Sequence, residues 1–83
     1  MNHVIISPQQ SRAARALLNM SLPELKTHGV GVNTVSRFET GTGSLRLDTM
    51  MRLVEVYRRL GVDFPDSRSV RDMRDEAPAK AAA

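Results

Sequence analysis

A stretch of six residues carries the side chains with the clearest chemistry. Asn33 and Arg37 end in a planar amide and a planar guanidinium, and both groups can form paired hydrogen bonds with the edge of a nucleic-acid base. Val32 can contact the methyl group of a thymine. Thr34 and Ser36 carry hydroxyl groups that can donate to phosphate oxygens. We therefore predict base contacts from Val32, Asn33 and Arg37, and phosphate contacts from the two hydroxyl groups.

Two short helices separated by glycines are predicted to position these side chains. The first begins at Ser21-Leu22-Pro23-Glu24, where a serine cap, a proline in the first turn and a glutamate at the capping-box position are typical of a helix start. Gly29 and Gly31 permit a tight turn, and a second helix follows over about residues 32–39. The sequence therefore predicts a helix-turn-helix over about residues 21–39, in which the second helix enters the major groove of DNA.

A longer helix is predicted on either side of this motif. Ser7-Pro8-Gln9-Gln10 repeats the helix-start pattern, and apolar residues then recur at helical spacing, so that this helix ends near Asn19. The last helix has an apolar stripe formed by Met50, Leu53, Tyr57 and Leu60. Gly61 is predicted to end it. We expect an all-α fold of four helices, or five, around small and aliphatic side chains.

Short extended segments are predicted at both ends of the helical core. Residues 3–6 and 62–64 are rich in β-branched and aromatic side chains, which favour strands. We predict that the two segments lie close together or pair across a dimer. The dimer surface stays open between two candidates, namely the last helix with Val62 and Phe64, and residues 4–6.

The distribution of charge and apolar residues separates a domain from a tail at Pro65. Twelve basic and nine acidic side chains give the 83-residue chain a net charge of +3, and all of this excess lies before Pro65. The tail has only Val70 and Met73 as large apolar side chains and is rich in alanine at its end. Because such a segment cannot bury enough surface to offset its ordering entropy, we predict a domain over residues 1–64 and a mobile tail over residues 65–83.

The sequence resembles the phage repressor and Cro-like (XRE-type) helix-turn-helix regulators over about residues 7–64. The resemblance lies in residues 12–18, 29–30, 34–41 and 47–53. It implies a compact, repressor-like domain that binds a two-fold operator in double-stranded DNA as a homodimer and represses, or in some members activates, transcription. In this family, the positions of Val32, Asn33 and Arg37 contact base edges, and the position of Thr34 lies near phosphate.

The resemblance also implies roles for residues outside the second helix. Arg15 and Glu39 fall where the family often has a structural ion pair beneath the recognition helix. Many members have a glutamine that contacts phosphate where this chain has Leu22. Lys26 or Arg46 is expected to supply a phosphate contact in its place.

Other classes of function lack the residues that they need. The chain has no cysteine and only two histidines, and it has no Gly-x-Ser-x-Gly elbow and no glycine-rich phosphate loop. We therefore predict no enzyme activity, no metal site and no cofactor. Its longest aliphatic run, Val4-Ile5-Ile6, is far shorter than the roughly 20 residues of a membrane span. Since there is no secretory signal pattern, we expect a cytoplasmic protein. The resemblance to the repressor and Cro-like regulators implies a bacterial or phage origin.

A protein-interaction module is the alternative function. An antitoxin could use the helical domain and the tail to cover a toxin, with DNA binding in a secondary role. A degenerate helix-turn-helix could instead have lost DNA binding and kept dimerisation. The tail is the segment through which we expect such a partner protein to bind.

Overall fold

The computed structural model describes residues 5–76, which form four α-helices and a small two-stranded sheet. The elements are α1 (Pro8–Leu18), α2 (Leu22–Lys26), α3 (Val32–Glu39), α4 (Leu47–Arg59), β1 (Val62–Asp63), β2 (Arg71–Asp72) and a 3₁₀ helix (Met73–Glu76). The prediction of a mostly helical fold with four helices is confirmed. The prediction of a purely α fold is wrong, because β1 and β2 pair antiparallel.

The first two helices begin at the serines that the sequence indicates. The backbone N–H of Gln10 donates to Oγ of Ser7 at 3.1 Å, and the backbone N–H of Ser7 donates to Oε1 of Gln10 at 2.9 Å. At the start of α2, the backbone N–H of Ser21 donates to Oε1 of Glu24 at 2.8 Å. These bonds satisfy N–H groups that have no partner within the helix, so both starts are fixed by local sequence.

The turn between α2 and α3 is short because it passes through a left-handed glycine. Gly29 has a φ of 81°, a conformation that side chains other than glycine rarely adopt. The backbone N–H groups of His28 and Val30 both donate to the carbonyl of Leu25, at 2.9 and 3.2 Å. Leu25 and Val30 are buried, so the turn is attached to the core on both sides and α2 packs against α3.

The core lies between the helices and is completed by β1. Its buried apolar residues are Ile6, Ala14, Leu25, Val30, Val35, Phe38, Met50, Leu53, Val54, Val56, Tyr57, Val62 and Phe64. Tyr57 and Phe64 form an aromatic pair with ring centroids 6.0 Å apart. Three residues of the predicted apolar stripe of α4 are buried, and Leu60 is packed against the core.

The strand pairing differs from the one predicted. Of the segment proposed as the partner of β1, residues 3 and 4 lie outside the described residues, and Ile5 and Ile6 belong to no strand. Val62 pairs instead with Asp72. The chain reverses between the strands at Asp66, whose Oδ1 accepts from the backbone N–H groups of Arg68 and Ser69 at 2.8 and 2.9 Å. Such local side-chain-to-backbone bonds favour a turn over a helix.

The segment after Pro65 returns to the helical core as far as Glu76. The side-chain amide of Gln10 donates to the backbone carbonyls of Asp66 and Ser69, both at 2.9 Å. The guanidinium of Arg74 donates to the carbonyl of Leu17 at 2.6 Å. These polar contacts, together with Val70, which is packed against the core, extend the folded part beyond the boundary predicted at Pro65. The part of the predicted tail at residues 77–83 lies outside the described residues.

Burial takes three side chains out of the candidate dimer surfaces. Val62 and Phe64 are each 1% exposed, and Ile6 is also buried. Side chains inside the core of one chain cannot contact a second chain. The outer face of α4 and Ile5, which is 62% exposed, remain as candidates.

The helices of residues 5–76 are too short to cross a membrane. The longest helix within residues 5–76, α4, has 13 residues, compared with the roughly 20 that cross a bilayer. No helix in this part of the chain combines the length and the apolarity of a membrane span.

Candidate nucleic-acid interface

The two faces of α3 differ sharply in exposure. Val35, Phe38 and Glu39 point into the protein and are buried. Asn33, Thr34 and Arg37 are exposed, whereas Val32 and Ser36 are half-buried. Since residues three and four apart share one side of a helix, this pattern leaves one polar side of α3 free. The side chains of Asn33 and Arg37 have no hydrogen-bond or ion-pair partner among the described residues.

Glu39 attaches the C-terminal end of α3 to α1. Its carboxylate is 3% exposed and forms an ion pair with Arg15, with Nη2 2.5 Å from Oε1 and Nε 2.9 Å from Oε2. The hydroxyl of Ser11 donates to Oε2 at 2.5 Å. The guanidinium of Arg12 donates to the backbone carbonyl of Glu39. Three residues of α1 therefore position α3, and the ion pair named from the sequence is one part of this network.

Burial and charge alter the ionisation of two groups in the network. The hydrogen bond with Glu39 raises the pKa of Arg15, although partial burial opposes this change. Burial raises the pKa of Tyr57 to about 12, with a further increase from the charge of Glu39 and opposing effects of Ser11 and Arg15. Both groups therefore hold their protons firmly at neutral pH, and the network stays intact there.

The loop that follows α3 is anchored on the carbonyl of Arg37. The backbone N–H groups of Thr42 and Gly43 donate to this carbonyl at 2.9 and 3.1 Å. The hydroxyl group of Thr42 also lies within donating distance of it, at 3.2 Å, while that of Thr40 lies between this carbonyl at 3.2 Å and the carbonyl of Ser36 at 3.0 Å. These bonds satisfy a carbonyl that the helix leaves without a partner, and they hold the loop beside the side chain of Arg37.

A small cleft lies between α3 and this loop. It has a volume of about 260 Å³ and is lined by Thr34, Arg37, Gly43 and Ser44. Two hydroxyl groups and one guanidinium face it, and all three can donate to phosphate oxygens. A Cβ atom on Gly43 would stand 3.4 Å from Cβ and 3.7 Å from Nε of Arg37. The absence of a side chain at this position lets the arginine lie against the loop.

The remaining predicted phosphate contacts lie outside this cleft. Lys26 is exposed at the C-terminal end of α2. Arg46 is exposed directly before α4, and its Nε is 3.5 Å from Oδ1 of Asp48. The structure thus brings Thr34 and Arg37 together, and it pairs Arg15 with Glu39, but it places neither Lys26 nor Arg46 in the lining of the cleft.

Four residues of this region are not predicted from the sequence as site residues, namely Ser11, Arg12, Tyr57 and Ser44. The spacing of Arg12 and Arg15, three residues apart on α1, is a signal that both could reach one partner. A buried serine and the hydroxyl of a core tyrosine give no such signal, because nothing local distinguishes them from other residues of their helices.

Comparison with known proteins gives no family for this chain. No family model, characterised protein or solved structure matches it. Its function therefore has to be inferred from its own residues and contacts.

Proposed function

We propose that the protein is a sequence-specific regulator that binds double-stranded DNA as a homodimer. In this proposal α2, the turn at Gly29 and α3 form a helix-turn-helix of the repressor and Cro type, and α3 lies in the major groove. The observation that carries the proposal is the outer side of α3. Asn33 and Arg37 are exposed there without internal partners, while Glu39 fixes the other side of the helix to α1.

Each side chain on the outer side of α3 has a proposed contact with the duplex. Asn33 pairs with the edge of an adenine, and Arg37 pairs with the edge of a guanine. Val32 is half-buried at the first position of α3 and offers its outer methyl group to a thymine. The hydroxyl groups of Thr34 and Ser36 contact phosphate and fix the position of the helix along the groove.

Charge supplies the part of the affinity that does not depend on sequence. The chain has a net charge of +3, and Lys26 and Arg46 are exposed on the elements that flank α3. Each phosphate that a lysine or arginine neutralises releases counterions, so binding weakens as salt rises. A repressor acts by covering a promoter, so this proposal requires no enzyme activity.

Two copies of the protein read a two-fold operator. In such complexes each recognition helix occupies one half-site, and the half-sites lie one turn of DNA apart, about 34–36 Å. Joining two recognition helices in one dimer raises the affinity for DNA, because the second helix binds at a high effective concentration once the first is bound. The sequence preference should therefore have two-fold symmetry.

The proposal is tested by selecting bound duplexes from a random pool and measuring the affinity of the selected sequence. Asn33→Ala and Arg37→Ala should each weaken binding by roughly 5- to 150-fold and relax the preference at one base pair per half-site. Arg68→Ala removes an exposed arginine outside α3 and serves as the matched control. Failure to bind any duplex at low salt, or an unchanged preference in both α3 variants, would overturn the proposal.

A further inference from the structure

The outer face of α4 carries charges of alternating sign. Asp48, Arg52, Glu55 and Arg59 are all exposed, and their spacing of four, three and four residues places them along one side of the helix. Met51 lies beside this row and is 49% exposed. A cleft of about 350 Å³ follows the same face and is lined by His28, Asp48, Met51, Arg52, Glu55, Val56 and Arg59.

The order of these charges is self-complementary under a two-fold rotation. We propose that a second copy of this chain docks on this face, with the two α4 helices antiparallel and the symmetry axis between positions 53 and 54. Asp48 then lies opposite Arg59 of the second copy. Arg52 lies opposite Glu55 of the second copy. Because a two-fold interface repeats every contact, each of these ion pairs occurs twice.

The exposed apolar residues lie along one flank of the charged row. Met51 is 49% exposed and Leu47 is 59% exposed. A two-fold axis between antiparallel helices places the same flank of both copies together, so the two Met51 side chains approach each other. Methionine has a flexible and polarisable side chain, so these two side chains can fill the space along the contact. One register therefore pairs opposite charges and brings the exposed apolar flanks together.

Neighbouring registers are disfavoured by the same charges. A displacement of about one helical turn in one direction places Asp48 opposite Glu55. The equivalent displacement in the other direction places Arg52 opposite Arg59. Like charges opposite one another repel, so the charge order selects one alignment of the helices.

Contacts within one chain leave these charges available. Arg52 has no ion-pair partner among the described residues, and its Nη1 lies beside Gly29, 3.5 Å from where a Cβ atom would stand. Glu55 and Arg59 form a pair at 3.0 Å with side chains 57% and 76% exposed. Exposed ion pairs at this spacing are weak, so Glu55 and Arg59 can exchange partners when a second helix approaches.

The interface is small, and this sets the strength of the dimer. One face of a 13-residue helix buries less area than the 1,200–2,000 Å² typical of stable complexes, so we expect a weak dimer that an operator strengthens. The inference deepens the proposed function by naming the surface of the homodimer, and it rests on that proposal for the role of the dimer. Asn33 and Arg37 do not line this cleft.

Two charge reversals test the pairing directly. Arg52→Glu and Glu55→Arg each place like charges opposite one another in both halves of the dimer. Each variant alone should raise the dimer dissociation constant at least about tenfold. An equimolar mixture should form the heterodimer, because every like-charge contact then becomes an opposite-charge contact. Sedimentation equilibrium without DNA, at concentrations up to millimolar, measures all three samples.

The mixture also distinguishes loss of the interface from a folding defect, because misfolded variants would not form the heterodimer. Arg68→Glu, a reversal outside α4, should leave the dimer unchanged. The inference is overturned if the unaltered chain is monomeric at millimolar concentration, if either variant dimerises normally, or if the mixture forms no heterodimer. A chain that dimerises in this way but binds no duplex contradicts only the proposed function. A chain that binds duplex as a monomer contradicts the interface and the homodimer of the proposed function, but not DNA binding by α3.

Discussion

The hydroxyl oxygen of Tyr57 lies 2.8 Å from Oγ of Ser11, within hydrogen-bond distance. Ser11 has a single hydroxyl hydrogen, and it donates that hydrogen to Oε2 of Glu39 at 2.5 Å. A chain of hydrogen bonds therefore runs from α4 through α1 to the carboxylate at the end of α3. Ionisation of Tyr57 would break this chain, because a phenolate has no hydrogen to donate.

Tyr57 should stay neutral in the folded protein to unusually high pH. Its pKa is about 12 in the folded state, compared with about 10 in an unfolded chain. Between these values the unfolded chain loses the proton and the folded chain keeps it, so the free energy of unfolding should fall by about 2–3 kcal/mol as pH rises through this interval. Below about pH 10 the full contribution is present.

Tyrosinate absorbance measures this titration without interference, because Tyr57 is the only tyrosine and the chain has no tryptophan. Tyr57→Phe should remove this component of the pH dependence of stability, while the arginines and lysines titrate as before. A midpoint near pH 10 in the folded protein would show that burial does not raise the pKa of Tyr57.

Removal of Arg15 should cost far more than removal of an exposed arginine. Arg15→Ala leaves the buried carboxylate of Glu39 without its cation, and we expect the free energy of unfolding to fall by about 3 kcal/mol. Arg15→Met combined with Glu39→Leu should be less harmful, since it removes both charges. Arg46→Ala, which removes an ion pair whose arginine side chain is 87% exposed, should cost less than about 1 kcal/mol. Urea denaturation of the variants compares these values, and equal losses for Arg15 and Arg46 would refute a structural role of the buried pair.

The helices could be predicted from the sequence because their signals are local. Ser7 and Gln10 cap α1 within three residues of each other, and the turn at Gly29 follows α2 directly. The exposure of Asn33 and Arg37 could be predicted in the same way, since helical spacing alone places them opposite the buried Val35.

The strand pairing could not be predicted, because it depends on contacts between distant parts of the chain. The side-chain amide of Gln10 donates to carbonyls 56 and 59 residues away. Nothing in the local sequence distinguishes a glutamine that only caps a helix from one that also binds distant carbonyls. The same is true of the cleft beside Arg37, whose shape follows from the way the loop folds back onto the carbonyl of that residue. A segment poor in large apolar side chains can still be held by such polar contacts.

Gln10→Glu should release the segment after Pro65 without removing the cap of α1. A carboxylate can still accept from the backbone N–H of Ser7, but it cannot donate to the carbonyls of Asp66 and Ser69. We expect a loss of about 2 kcal/mol and faster hydrogen exchange in β2. Gln9→Glu, an exposed neighbour, should change neither quantity. Unaltered protection of β2 in the Gln10 variant would show that other contacts hold the segment.

Lys26 and Arg46 should contribute to DNA affinity without affecting sequence preference. If each contacts one phosphate per copy, Lys26→Ala and Arg46→Ala should each reduce the slope of log K against log salt by about 1.8 for the dimer, which is about 0.9 per copy. Binding should weaken to a similar extent on selected and unselected duplexes, because phosphate carries no sequence information. Titrations at several salt concentrations give the slopes. A variant that retains the full slope would identify a residue that does not contact phosphate.

Gly43 should control the direction of Arg37 rather than the conformation of the loop. Gly43 has no left-handed φ, unlike Gly41 with a φ of 82°, so a side chain at position 43 strains no backbone. An alanine Cβ would be in ordinary contact with Arg37 at 3.4 Å, whereas the branches of valine would displace the arginine. We therefore expect Gly43→Val to weaken binding to the selected operator on the order of tenfold, and Gly43→Ala to have little effect.

A double-mutant cycle distinguishes this effect from a general disturbance of the loop. In the background of Arg37→Ala, the valine at position 43 should cause no further loss, because the side chain that it displaces is absent. Gly41→Ala supplies the contrast. It should lower stability because of its φ, yet it should leave the base preference unchanged, since no atom lies within 4 Å of its Cβ position. Additive losses for Gly43→Val and Arg37→Ala would mean that the loop and the arginine act independently, and that the position of Arg37 is set by α3 alone.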